Sequence, residues 1–265
     1  MRRPPLLPAA LLALTTLTSV LGFTSAADAA TIRYVALGDS YSSGTGASSG
    51  YLDATCKRSA SAYPYLYSQE ASPASFSFKA CTGATTTDVV NSQLSTLSST
   101  TTLVSITIGG NDVGFSNVMT TCVLQGTTPC TTAVNTAKST ASSALPGLLN
   151  TVYTKIRAKA PNARVVVLGY PVFYNLAKDS TCIGLNTAKR TAINGAAVHL
   201  NNVISTAVSA HSGFVFRSVV SGFSGHQLCD SVQWIHALEY PIVNSYHPTA
   251  AGHSGAYLPR FKAGI

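Results

Sequence analysis

The sequence predicts an α/β fold of three layers, in which helices cover both faces of a central, parallel, five-stranded sheet. Two observations carry this. Five short β-rich runs alternate with longer helix-compatible stretches along the 265 residues, the order expected of parallel strands joined by crossover helices. Runs such as Val-Val-Val-Leu at 165–168 are apolar without alternation, as strands buried on both faces are.

The first run is TIRYVAL at 31–37, followed by a helix-compatible stretch at 61–71. SFSFKA at 75–80 leads to a second such stretch at 86–98, and LVSITI at 103–108 forms the third run. Residues 132–160 read as helical, with Pro146 expected to start or kink a helix inside them. ARVVVLG at 163–169 and GFVFR at 213–217 complete the strands. Between them, residues 187–211 carry Ile193, Ala197, Leu200, Ile204 and Val208 at helical spacing. No repeat, low-complexity tail or Pro/Gly linker interrupts residues 30–265, which read as one domain.

The N-terminus has the layout of a secretory leader. Arg2 and Arg3 precede a long apolar stretch, and Ala-Asp-Ala at 27–29 offers small residues for cleavage. A signal peptide over 1–29 is therefore expected, and the remainder should act outside the cell, since no later segment is apolar for long enough to span a bilayer. All six cysteines (Cys56, Cys81, Cys122, Cys130, Cys182 and Cys229) follow the leader, and an even count in an exported chain argues for disulfides. Six cysteines allow fifteen connectivities; sequential pairing is the economical expectation. None of the three pairs has the Cys-x-x-Cys spacing of a zinc or redox site.

The formal net charge is +8; loss of Arg2, Arg3 and Asp28 with the leader leaves 15 basic and 8 acidic residues, or +7. The basic residues are scattered, with no run longer than two, so the stripe or cluster that nucleic-acid binding requires is missing. The positive balance fits transient attraction to anionic lipid surfaces.

Ligands of open parallel sheets gather at the carboxyl ends of the strands. Three polar, Gly-bearing turns stand there: GDSYSSG after the first run, CTGA after the second and GGND after the third. Ser40 falls at a strand-to-helix corner, where a hydroxyl is exposed and the backbone N–H faces the cleft. A lone Gly-Asp-Ser is equally compatible with a turn capped by serine. Asn111 stands at a strand end, where its amide can donate to a developing oxyanion. Gly83 lets a backbone N–H approach the same point unobstructed. His247 precedes Pro248, whose ring holds the preceding residue extended, so the imidazole is expected on a loop.

These four blocks, Gly-Asp-Ser, a later Gly, Gly-x-Asn-Asp and a C-terminal His-Pro, occur in the order found in the SGNH (GDSL-type) hydrolases, which the chain resembles from Ser40 to His247. The likeness is greatest to the secreted bacterial lipases, esterases and phospholipases of that family with three disulfides. It implies a flavodoxin-like α/β/α fold, Ser40 as nucleophile, His247 as general base, and an oxyanion hole formed by Ser40 N–H, Gly83 N–H and the Asn111 amide. It implies ester hydrolysis without a cofactor, on acyl lipids or other esters, by a monomer. The chain departs from the family at Asn244, where many members place an Asp that orients the histidine. The resemblance then implies a dyad, with the Ser245 backbone carbonyl holding the His247 ring; Asp230 or Glu239 folding back is the alternative.

Other readings have weaker support. Gly-Ala-Ser-Ser-Gly at 46–50 matches a nucleophile-elbow pattern around Ser48 but lacks a preceding strand. Asp39 and Asp112 are expected to stabilise their turns. His199 and His211 belong to the last long helical stretch, and His226, His236 and His253 lack metal-ligand spacing. A glycosidase needs two spaced carboxylates, for which the chain offers few candidates. A polysaccharide deacetylase on the same residues, or a non-catalytic carbohydrate-binding relative, are the remaining alternatives. Tyr41, Phe115, Tyr170, Phe173 and Tyr246 near the blocks favour acyl lipids.

Overall fold

A computed structural model of the chain describes Met1, residues 31–48 and residues 50–265. The leader expected over 1–29, Met1 apart, lies outside the described residues. Five strands form one wholly parallel sheet: β1 (Arg33–Gly38), β2 (Ser75–Phe78), β3 (Leu103–Thr107), β4 (Arg164–Leu168) and β5 (Phe214–Arg217), in the order β2-β1-β3-β4-β5. Each matches an expected run to within one or two residues at its ends; β1 starts two residues later and runs one further, to Gly38, and the others are shorter. The register sets Val35 beside Val104 and Val104 beside Val165. Val104, Ile106 and Val165 to Leu168 are fully buried, each worth roughly 1.5–3 kcal/mol of apolar transfer. Tyr34 lies between the rings of Phe76 and Phe261, and its hydroxyl meets Ser105 Oγ at 2.6 Å.

The winding of the sheet reverses between β1 and β3, and a crevice opens at the carboxyl ends of strands that diverge in this way. The turns carrying Ser40 and Asn111 flank it.

Of the helices, α1 (Ser40–Ser43) is a single turn directly after β1, and α2 (Tyr63–Ala71) packs with the C-terminal helix described below. The stretch at 86–98 forms α3 (Thr86–Asp88), then widens into a π-type turn at Val89–Gln93 and tightens at Leu94–Thr96. A helix that composition alone does not predict, α4 (Phe115–Leu124), follows β3. The stretch expected as helical over 132–160 begins earlier and is two helices, α5 (Thr127–Ser143) and α6 (Leu145–Lys159), which meet at Ala144 with Pro146 in the first turn of the second. Proline is tolerated there because that turn has no intrahelical use for its N–H. In α5 the hydroxyls of Thr131, Thr136 and Thr140 donate to carbonyls one turn earlier, which accommodates a Thr-rich helix. The long helix α7 (Thr187–Ser209) packs on α5 and α6. The chain closes with α8 (Ala250–Gly252), a π-type turn at His253–Tyr257, and α9 (Leu258–Lys262), the partner of α2.

Three disulfides pair sequentially, Cys56–Cys81, Cys122–Cys130 and Cys182–Cys229. Cys122–Cys130 ties α4 to α5. Cys56–Cys81 anchors the segment that carries Gly83.

Candidate active site

Gly38 ends β1 at φ +122°, and a Cβ there would meet the Thr107 carbonyl oxygen at 2.4 Å. Only glycine lets β1 run this close to β3 before turning. Asp39 then donates its N–H to Thr107 O at 2.9 Å, while its carboxylate accepts the Tyr41 N–H at 2.9 Å and caps α1. Ser40 is thereby the first residue of a short helix, almost buried, at the β1/β3 crevice.

His247 comes from the opposite side, on the segment between a turn at Ile242–Asn244 and α8. Its Nε2 lies 2.8 Å from Ser40 Oγ, and its Nδ1 lies 3.1 Å from the Ser245 carbonyl oxygen. A carbonyl only accepts, so Nδ1 carries the proton and Nε2 is the acceptor facing the serine hydroxyl. Burial pushes the imidazole down to about 4, with the Ser245 carbonyl opposing that shift and the neighbouring His236 adding to it. The ring is therefore neutral at physiological pH, the state in which Nε2 can accept a proton.

Among the described residues neither Asp230 nor Glu239 is bonded to the His247 ring. Asp230 accepts from Asn175 Nδ2 at 2.7 Å and from the Gln227 N–H at 2.9 Å. Glu239 pairs with His236 instead, at 2.9 Å.

Asn111 lines the cleft and donates one amide hydrogen to Ala84 O at 2.9 Å, which leaves its second amide hydrogen without a protein acceptor among the described residues. Gly83 stands one residue before that acceptor at φ +74°, with open space where a side chain would begin. Among the described residues the N–H groups of Ser40 and Gly83 have no protein acceptor. Asp112 accepts from the Thr86 N–H and hydroxyl and fixes the β3 turn against α3.

A narrow apolar cleft opens beside Ser40 and Asn111. Phe115, Val118, Met119, Ile193, Ala197 and Leu200 line it, from α4 and α7. Tyr41, Tyr170 and Phe173 border the same cleft, whereas Tyr246 lines a neighbouring groove. The sequence pattern at Ile193, Ala197 and Leu200 marked only an apolar helix face; the structure makes part of that face a wall of the cleft.

Tyr170, at the end of β4, donates to Asp39 Oδ2 at 2.5 Å and accepts the Gly110 N–H at 2.9 Å. It joins the ends of three strands beneath the site. Burial outweighs these bonds and pushes the Asp39 carboxyl up from 3.8 to about 7.

Ser48 lies in a loop with its hydroxyl bonded to Ser59 Oγ and Gly50 O, away from any strand end. His199 meets Ser142 Oγ at 2.8 Å on the surface, His211 packs on Tyr153 and Phe214, and His226 stacks on Trp234. His253 is buried against Tyr63. Among the described residues no group of three or more His, Cys, Asp and Glu side chains is arranged to hold a metal ion, and no helix is long and apolar enough to cross a membrane.

Residues 36–254 match the GDSL-like lipase/acylhydrolase family, a span that holds every residue of this constellation. The chain belongs to that family. Its members include relatives of high identity. Lipase 1 of Streptomyces coelicolor is 54% identical over 238 residues, 89% of this chain and 87% of that protein. The crystal structure of phospholipase A1 from Streptomyces albidoflavus superposes with a TM-score of 0.84 at 54% identity, covering 88% of this chain and 98% of the other. An extracellular lipase from Streptomyces rimosus does so with a TM-score of 0.85 at 47% identity, covering 88% and 100%. Family membership and these two folds agree with the α/β/α architecture and place the chain among the ester hydrolases.

Proposed function

We propose that the protein is exported and hydrolyses the carboxylic esters of acyl lipids through an acyl-Ser40 intermediate. The observation that carries this reading is the 2.8 Å approach of His247 Nε2 to Ser40 Oγ at the mouth of an apolar cleft. His247 accepts the hydroxyl proton as Oγ attacks the ester carbonyl. Ser40 N–H, Gly83 N–H and the Asn111 amide donate to the oxyanion of the tetrahedral adduct. Collapse expels the alcohol, which takes its proton from His247, and leaves the acyl group on Ser40. Water, deprotonated by His247, then attacks the acyl carbonyl and releases the fatty acid. The chemistry asks for no cofactor.

The acyl chain lies in the cleft between α4 and α7, where a chain of methylenes gains about 0.8 kcal/mol per buried CH₂. The relatives named lipase and phospholipase A1 support acyl lipids over small esters. The basic leader with its small-residue site, three disulfides and an extracellular relative support export. The +7 balance left once the leader is removed supports transient visits to anionic lipid surfaces by a protein that acts as a monomer. Purified protein and its Ser40→Ala variant, assayed on a phospholipid, a triglyceride, a simple ester and an acetylated polysaccharide, test the reading. Turnover of the long-chain lipids that the variant lacks is expected; turnover of acetylated polysaccharide alone would assign the site to deacetylation.

A further inference from the structure

The segment that presents His247 is fastened to the segment that presents Ser40 on two sides. On the inner side the Tyr41 hydroxyl donates to the Tyr246 carbonyl at 2.6 Å. On the outer side stands His236. Its Nε2 lies 2.9 Å from the carbonyl oxygen of Gly46, just beyond α1, and its Nδ1 lies 2.9 Å from the Glu239 carboxylate.

We propose that His236, held as an imidazolium between Glu239 and Gly46, is a positioning residue that sets the distance between Ser40 and His247. This rests on the reading of Ser40 and His247 as the reacting pair.

The hydrogen-bond accounting gives the charge state. A carboxylate and a backbone carbonyl are both acceptors, and a neutral imidazole has one N–H. The bridge is complete only when both ring nitrogens carry protons. The circuit then closes through named bonds. The Gly44 and Thr45 N–H groups bond the Ser40 carbonyl at 3.0 and 3.2 Å, which ties the Gly46 loop to the nucleophile. His236 donates its backbone N–H to His247 O and accepts the Tyr246 N–H, both at 2.9 Å, so it runs directly beside the base. The Glu239 N–H donates to Ser245 Oγ at 2.9 Å, and that hydroxyl donates to Glu239 O at 3.2 Å. The residue whose carbonyl holds His247 is thus fastened to the residue whose carboxylate holds His236.

The charges around the ring fit this role. Glu239 faces it from its own loop and His247 from the adjacent segment. On the Gly46 side Tyr51 accepts the Gly46 N–H at 3.1 Å, with the Lys57 ammonium 5.1 Å from the Tyr51 ring centre. A cation at His236 opposes protonation of His247, and the Glu239 carboxylate offsets that opposition when His247 takes the serine proton. The side chains of His236 and Glu239 are 20% and 37% exposed, so the pair contributes geometry more than stability.

The test compares wild type with His236→Ala, His236→Gln, Glu239→Gln and Ser40→Ala, by kcat and KM across pH and by ¹⁵N NMR of the wild-type imidazoles. Misplacing a reacting group by about 1 Å costs up to ~10²-fold. His236→Ala and Glu239→Gln should lose roughly tenfold to a hundredfold in kcat with KM little changed. His236→Gln keeps one donor for Gly46 O and should recover part of the loss. NMR should find both His236 ring nitrogens protonated in the active enzyme, a readout that does not depend on any variant folding. An unprotonated ring nitrogen there, or wild-type kcat and pH profile in folded His236→Ala, would overturn the clamp. Ser40→Ala separates the two claims: if it is inactive while His236→Ala turns over normally, only the clamp falls, and if it remains active, the reacting pair itself is misassigned.

Discussion

The Tyr170 hydroxyl donates to the Asp39 carboxylate at 2.5 Å, in a buried place directly beneath the turn that carries Ser40. Burial nonetheless pushes Asp39 up from 3.8 to about 7. A carboxyl raised by folding stabilises the native state fully below its unfolded value and loses that contribution as pH rises through the folded one. The window is therefore pH 4 to 7, and ionised Asp39 costs about 4 kcal/mol above it. Asp39→Asn keeps a capping acceptor without the charge. Its unfolding free energy should exceed that of wild type at pH 8, by up to that amount, and converge with it below pH 4; denaturant melts at the two pH values measure this. A variant less stable than wild type at pH 8 would show that the charged cap is worth more than its burial costs.

The proposed base has its own pH signature. Burial holds His247 at about 4, so the acid limb of kcat/KM should fall near that value rather than near 6.5, and the enzyme should keep most of its activity at pH 5.5. Rates on an ester that does not itself titrate supply the measurement. A limb at 6.5 or above would mean that the working ring is less buried, or better paired, than this geometry has it.

In the proposed oxyanion hole Asn111 would act on charge that exists only in the transition state, so Asn111→Ala should lower kcat by about 10²–10³-fold, some 2.7–4 kcal/mol, with a smaller effect on KM. The lost bond to Ala84 O loosens the Gly83 turn and adds to the effect on kcat. A rise in KM at unchanged kcat would place Asn111 in substrate binding.

Much of this was legible in the sequence for local reasons. Gly38, Asp39 and Ser40 mark a strand end by composition alone, and an apolar run such as Val165 to Leu168 has no other comfortable place than a buried parallel sheet. What the sequence hid depends on contacts between distant residues. Tyr170 and Asp39 are 131 positions apart, and nothing local to either signals the bond. Helix α4 was unreadable because Gly114, Thr120, Thr121 and Gly126 weaken helical propensity in and around it, and the Cys122–Cys130 bridge and the packing of α5 supply what propensity does not. His236 and Glu239 stand three apart with no motif around them, so their pairing emerges only when the loop folds across Gly46.

Asn244 stands where many family members carry the aspartate of a triad. Its side chain has no hydrogen-bond partner among the described residues, and its backbone carbonyl accepts the His247 N–H at 3.1 Å. Asn244→Ala keeps that carbonyl and should change kcat only a few-fold, whereas losing a triad carboxylate costs about 10⁴-fold. A loss of that larger size would make the Asn244 side chain part of the machinery.

The central claim is that Ser40 is the nucleophile and His247 its base. Labelling with a fluorophosphonate, followed by mass spectrometry of the digested protein, tests it most directly, because the phosphorus is attacked by whichever oxygen the site activates. A single adduct on the peptide containing Ser40, formed within minutes and lost in His247→Ala, is the predicted result. An adduct on Ser48 or any other residue, or one on Ser40 that forms equally fast without His247, would contradict it.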